Sequence, residues 1–273
     1  MRIEPRVGII TFFPGGKGGA GASTIASSFA VALSEYVNNH VLVVDFGYGA
    51  NATTTKIFGK DPGAVGVYDF VFGKANPRPI KVDEYRVYLL TNGYRDPNQV
   101  VNELARVYAT DPGRFTRELT GRLKSFLVTL AEQYGINHVI IDLPSATVGP
   151  HTFSVLSIST IINIIALHSS THIGETLDAF KIAVDANDKA VINIIVNRVY
   201  PIGDSEAQYK SMTRRGHVFP ISCSMYASYI IDWKRDVPIA WDFPGNWRRD
   251  LMKLVQAVKR QVDEALSRVK PSV

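Results

Sequence analysis

Cysteine is almost absent from this sequence. Cys223 is the only one in 273 residues, so the chain can form no internal disulfide and no cysteine-built metal cluster, and a reducing, cytoplasmic compartment is the expected setting. The sequence also lacks an apolar run long enough for a bilayer. Residues 143–174 contain no Asp, Glu, Lys or Arg, yet Ser, Thr, His, Asn and Pro interrupt them, and their densest apolar stretch, 155–167, is too short to span. This segment reads as a helix end followed by a buried strand. No secretory cleavage pattern follows the apolar residues 7–13, which run into glycines and therefore read as a strand. No repeat with a period of about 20–50 residues and no low-complexity tract is present. Nor is there a large excess of one charge. A formal net charge of +5 and a pI near 9.2 fit an anionic partner such as DNA or acidic lipid without requiring one.

A chain of this length with 46% hydrophobic residues can bury one sizeable core, so a single domain over residues 1–273 is the expectation. Short β-branched runs recur at 7–13, 40–45, 87–90, 138–142, 161–167, 190–197 and 217–220. Between them lie segments with helical periodicity at 23–36, 99–108, 114–133, 173–184 and 246–269. Continuous apolar strands alternating with helices predict a doubly wound α/β fold, a mostly parallel sheet with helices on both faces. The Gly/Pro-rich stretches at 59–64 and 73–79 read as loops inside it.

The first strand runs into Gly15-Gly16-Lys17-Gly18-Gly19-Ala20-Gly21-Ala22-Ser23-Thr24 and then an amphipathic helix, the strand, loop and helix order of a phosphate-binding loop. Glycines there let backbone N–H groups converge on phosphate oxygens without Cβ clashes, and the helix adds its N-terminal partial positive charge. Ser23 is placed to offer its hydroxyl to Mg²⁺. Against the general pattern G-x-x-x-x-G-K-[ST], Ala22 stands where the lysine belongs.

Lys17 within Lys-Gly-Gly-x-Gly resembles the deviant Walker A signature of the ParA/MinD family of P-loop ATPases. That resemblance implies a nucleotide-sandwich homodimer in which Lys17 reaches the partner's phosphates; an exposed loop lysine is the plain alternative. It implies ATP or ADP with Mg²⁺ as the cofactor, and Gly16, Lys17, Gly18, Gly19, Ala20, Gly21, Ala22, Ser23 and Thr24 as nucleotide-binding residues. Residues 41–53 resemble the family's second motif, with Asp45 at the first aspartate and Asn51-Ala52-Thr53 at the tail, but Gly47 replaces the second aspartate, which orients the attacking water. Residues 134–144 resemble a Walker B strand, in which Asp142, like Asp45, holds Mg²⁺ through water. Asn197 and Arg198 match the strand end that reads adenine, and Pro220 lies in a segment that lines the other side of the base; Asn197 is also readable as an ordinary turn residue.

Phosphoryl transfer depends on cations at the developing charge and on a positioned water. Ala22 removes the first and Gly47 the second, so binding is expected to survive where turnover is slow or absent. The resemblance further implies non-specific DNA binding by the last helix and a ParB-like partner protein. Arg249, Lys253 and Arg260 fall opposite its apolar stripe of Leu251, Leu254, Val255, Val258, Val262 and Leu266, with Arg248 and Lys259 at the stripe's edge. Lys210, Arg214, Arg215, Lys234 and Arg235 are candidates for the same footprint, and a solvated helix face is the bland alternative. The end of the chain is too poor in apolar residues, and too acidic, for an amphipathic membrane tail. Trp233, Trp241 and Trp247 are expected to pack against the final helix. A catalytically inactive interaction scaffold is the competing function, and a single cysteine argues against an iron–sulfur carrier.

Overall fold

The computed structural model describes residues 7–16, 19–47, 53–82, 85–93, 96–144, 149–167, 172–199, 209–210, 217–222 and 245–268. Lys17, Gly18, Asn51, Ala52, Arg214, Arg215, Cys223, Trp233, Lys234, Arg235 and Trp241 therefore lie outside the described residues.

Eight strands form one sheet in the order β3-β4-β2-β5-β1-β6-β7-β8. They are β1 (Gly8–Pro14), β2 (Val41–Asp45), β3 (Ile80–Val82), β4 (Val87–Leu90), β5 (His138–Asp142), β6 (Ile161–Leu167), β7 (Val191–Val199) and β8 (Val218–Ser222). Every pairing is parallel except β3 with β4. The helices among the described residues are α1 (Ala22–Tyr36), α2 (Thr53–Ile57), α3 (Val67–Val71), α4 (Pro97–Thr110), α5 (Pro112–Tyr134), α6 (Pro150–Ile158), α7 (Ile173–Ala186) and α8 (Gly245–Arg268). The seven strands and five longer helices anticipated from periodicity are present, with no end shifted by more than two residues. Residues 59–64 and 73–79 are loops, as their glycines and prolines suggest. The segment 143–174 contains a complete nine-residue helix, α6, with Pro150 at its start, and not just a helix end. Proline is tolerated there because its missing N–H would have had no helical partner.

The sheet divides the core into two layers. On one side Ile10, Phe12, Val41 and Val43 meet the small residues of α1 and the stripe Leu251, Leu254, Val255, Val258 and Val262 of α8. On the other side Ile9, Leu42, Val44 and Ile141 meet Leu119, Leu123 and Leu127 of α5 and Val155 and Leu156 of α6. Central strands are therefore apolar at consecutive positions, because both faces are covered. Residues 25–34 of α1 are buried all round, which Ala26, Ser27, Ser28, Ala30, Ala32 and Ser34 permit by letting the sheet and α8 approach closely. Trp247 is also buried, as a core residue of α8 itself. Full burial of each aliphatic side chain on α8 stabilises by about 1.5–3 kcal/mol, so this helix is anchored by its apolar stripe. No helix among the described residues is long and apolar enough to cross a membrane.

Candidate functional site

β1 lies between β5 and β6, and its C-terminal end feeds the glycine loop into α1. In an open α/β sheet this edge, beyond the carboxyl ends of the strands, is where ligands bind. Gly19 and Gly21 adopt positive φ of 91° and 89°, a region that side chains with a Cβ rarely occupy. Gly21 is also the N-cap of α1 and supplies no side-chain cap, so the first-turn amides of the helix face the loop without a side-chain acceptor at that cap. That geometry suits an anion. Ala22 packs its methyl into the hydrophobic layer behind the loop, so the position of the missing lysine is filled by core packing.

Two neighbours press on the loop. From the end of β7, the Asn197 amide donates to the Ala20 carbonyl (2.8 Å) and the Arg198 guanidinium donates to the Gly19 carbonyl (3.0 Å). A Cβ on Gly21 would stand 2.5 Å from Asn197 Nδ2, so glycine is required there by close approach as well as by φ. Arg198 itself takes a left-handed φ of 59°, and its N–H donates to Asn197 Oδ1 (2.9 Å). Pro220 is exposed on β8, where it is in register with Val196, one residue before Asn197. From the first turn of α7, the Glu175 carboxylate reaches Gly16 so closely that a Cβ would overlap it, and His172 Nδ1 lies 3.1 Å from the same carboxylate. The structure thus brings Gly16, Gly19, Ala20, Gly21, Asn197 and Arg198 together. Lys56, a lysine that could stand in for the missing one, is exposed on α2.

Beside the loop, Asp45 and Asp142 end adjacent strands in direct register. Both are buried. Asp45 is fully engaged: Oδ1 accepts from Gly47 N (2.8 Å), and Oδ2 accepts from Thr55 N (2.8 Å) and the Thr55 hydroxyl (2.6 Å). Its carboxyl is nonetheless raised above the usual range, because burial outweighs those bonds. Asp142 accepts from the Thr54 hydroxyl at Oδ2 (2.7 Å), while Oδ1 is buried with no hydrogen-bond partner among the described residues. Burial first, then the charge of Asp45, push its carboxyl up to about 7, against the lowering effect of the Ser23 and Thr54 hydroxyls. Two buried acids side by side, one with an unsatisfied oxygen next to Ser23, form a site that a divalent cation would neutralise.

No group of three or more His, Cys, Asp or Glu among the described residues can hold a metal unaided. This fits Mg²⁺, which uses one or two protein oxygens together with substrate phosphates and water. Ser23 and Asp142 carry oxygen donors at this place.

Thr54 and Thr55 were not identified from sequence. Their only signal is the run Thr53-Thr54-Thr55 shortly after β2, and their role emerges only when α2 folds back over the strand ends. Gly47 is held in place by Asn92, whose amide donates to its carbonyl (2.9 Å), and Tyr68 donates to the neighbouring Phe46 carbonyl (2.8 Å). The position that would carry a water-orienting carboxylate is therefore an ordered backbone turn without a side chain.

On α8, Arg248, Arg249, Lys253 and Arg260 are exposed. Lys259 is only 24% exposed and pairs with Asp263 one turn on (2.6 Å).

Residues 11–230 match the family model described as the CobQ/CobB/MinD/ParA nucleotide binding domain. Among curated proteins no sequence matches significantly. Several solved structures share the fold. The septum site-determining protein MinD of Pyrococcus horikoshii OT3, complexed with Mg-ADP, superposes with a TM-score of 0.70 at 19% identity, covering 95% of this chain and 98% of that one. The MinC:MinD cell division complex of Aquifex aeolicus gives 0.67 at 15% identity, covering 93% and 96%. A plasmid partition protein of Borrelia burgdorferi gives 0.64 at 19% identity, covering 93% and 99%.

Proposed function

Because the chain belongs to the CobQ/CobB/MinD/ParA nucleotide binding domain family, we propose that it binds ATP or ADP with Mg²⁺ at the loop of residues 16–24 and hydrolyses ATP slowly or not at all. The observation that carries this reading is the pair of left-handed glycines leading into α1, set beside a buried Asp142 with an unsatisfied oxygen. Loop and first-turn amides take the phosphate oxygens, and Ser23 and Asp142 hold the metal, Ser23 directly and Asp142, like Asp45, through water. Bound Mg²⁺ would neutralise phosphate charge. Asn197 spends one N–H on Ala20 and one lone pair on Arg198 N, which leaves its amide a donor and an acceptor for the edge of a base, with Pro220 nearby on the adjacent strand. Lys17 is assigned the partner's phosphates in a sandwich dimer.

Turnover is where the residues fall short. Ala22 offers no cation and Gly47 no water-orienting group, and loss of either kind of group costs about 10³-fold in rate. Affinity suffers less. One charge-assisted hydrogen bond is worth roughly 1.5–3 kcal/mol, which loop amides, Mg²⁺ and Lys17 in part offset.

In this reading the whole chain acts as one cytoplasmic, nucleoid-associated switch. Nucleotide stabilises a homodimer, the exposed basic face of α8 binds DNA without sequence preference, and a ParB-like partner reads the dimer. The fold shared with a plasmid partition protein and with MinD bound to MinC supports a role in segregation or positioning. A second reading, an inactive scaffold, draws on Asp45, whose two oxygens are committed to Gly47 and Thr55. Light scattering with and without Mg²⁺-ATP separates the two. The switch predicts a doubling of mass with nucleotide that Lys17→Ala abolishes; an unchanged mass in both proteins contradicts it.

A further inference from the structure

β5 carries a chemically loaded residue at each end. Asp142 closes it at the glycine loop, and His138 opens it at the opposite edge of the sheet, paired in register with Gly8. Five residues of strand place the two ends about 13 Å apart. At the His138 end there is a cleft of ≈ 600 Å³ between the C-terminal turn of α1, the start of β5 and the last turns of α8. Its polar lining comprises Asn39, Asn137, His138, Lys259 and Asp263, with Leu266 among its apolar lining.

His138 is only 6% exposed, and its Nδ1 is buried with no hydrogen-bond partner among the described residues. A buried ring nitrogen without a partner costs free energy. Lys259, the less exposed member of its pair with Asp263, raises the positive potential here, and Asp263 is 59% exposed. Two amides, an imidazole and an ammonium are donors, and the one carboxylate accepts from that ammonium at both oxygens (2.7 and 2.6 Å) while being the more exposed partner. We propose that this cleft binds a small oxyanion, a carboxylate or a phosphate group, between the Lys259 ammonium and the His138 imidazole, with the Asn39 and Asn137 amides as further donors and Asp263 as the group displaced.

The titratable groups lining the cleft are Tyr36 on α1, His138 on β5, and Lys259 and Asp263 on α8. In the free protein, burial and then the Lys259 charge hold His138 down to about 4, against the opposing charge of Asp263. A bound anion reverses that balance, so it is taken up together with a proton and binds more tightly as pH falls.

The test follows the His138 ring resonances by NMR while inorganic phosphate or acetate replaces chloride at constant ionic strength. The glycine loop also attracts phosphate, but a phosphate there lies at the far end of β5 and is indifferent to Lys259. Saturable movement of the His138 signals with either anion, with an upward shift of its titration, is expected, and the tighter of the two identifies the group preferred. Lys259→Met should weaken binding by roughly ten-fold or more. Asp263→Asn should strengthen it by roughly two- to five-fold, because a competitor for Lys259 is gone. No saturable movement with either anion overturns the proposal. So does weaker binding in Asp263→Asn, which would mean that the cleft takes a cation.

Discussion

Asp142 is a buried acid whose carboxyl titrates near 7 instead of near 4, and that displacement is a statement about stability. The folded state binds this proton more tightly than the unfolded state. Its contribution is therefore fully favourable below pH 4 and is lost as pH rises through 7. Above that pH the native protein carries an unfavourable buried charge, unless a cation meets it. Asp142→Asn removes the ionisation while keeping the shape. In denaturant titrations without Mg²⁺, the variant should be more stable than the native chain by roughly 2–4 kcal/mol at pH 8, with the gap closing towards pH 4. The added stability that Mg²⁺-nucleotide confers on the native chain should vanish in the same variant. A residue that destabilises the empty protein and is relieved by ligand is what a metal site requires.

At the scale of elements, α8 presents two unlike faces. Its buried stripe fastens it to α1 and the sheet, and its exposed face carries Arg249, Lys253 and Arg260, with Arg248 also exposed. If that face binds DNA, affinity should fall steeply with salt. Replacing Arg249, Lys253 and Arg260 together by Ala should flatten the log–log slope by about 0.9 for each DNA phosphate that the variant no longer neutralises. Lys259→Met should leave that slope unchanged, since this lysine lines the cleft at only 24% exposure and is not part of the exposed basic face. Filter-binding or anisotropy titrations at several salt concentrations read both effects.

The elements legible in the sequence were those with a period. Buried strands such as β5 and β6 announce themselves as continuous β-branched runs, and α5 and α8 as long amphipathic repeats. The glycine loop was legible because a strand and a helix flank it. Helices α2 and α3 have five residues each and the edge strand β3 has three, too few to display a periodicity. The missed part of the site has the same origin. Thr54 meets Asp142 across 88 residues of sequence, a pairing fixed by strand order and invisible to local pattern.

For the molecule as a whole, buried histidines and buried acids set opposing pH slopes. His151 is completely buried, stacks on Phe46 at 6.1 Å, and has no hydrogen-bond partner at either ring nitrogen among the described residues. Burial alone lowers it to about 4. For such a group the unfolded chain binds the proton more tightly, so stability is fully present above pH 6.5 and is lost as pH falls through 4. His151 alone contributes roughly 3 kcal/mol to that loss. Asp142 acts in the opposite sense over the same window and masks part of it. His151→Phe, which keeps a ring between Phe46 and Tyr68, should therefore resist acid better than the native chain, whereas Asp142→Asn should be more acid-sensitive. Urea midpoints at pH 5 and pH 7 compare the three proteins.

The central claim is a phosphate loop that holds nucleotide without consuming it. It is tested most directly by incubating the purified protein with Mg²⁺-ATP, removing free nucleotide, and chromatographing what stays bound after a delay of many ordinary turnover times. Retained, intact ATP is the result the account predicts. Bound ADP with released phosphate, or no retained nucleotide at all, would contradict it.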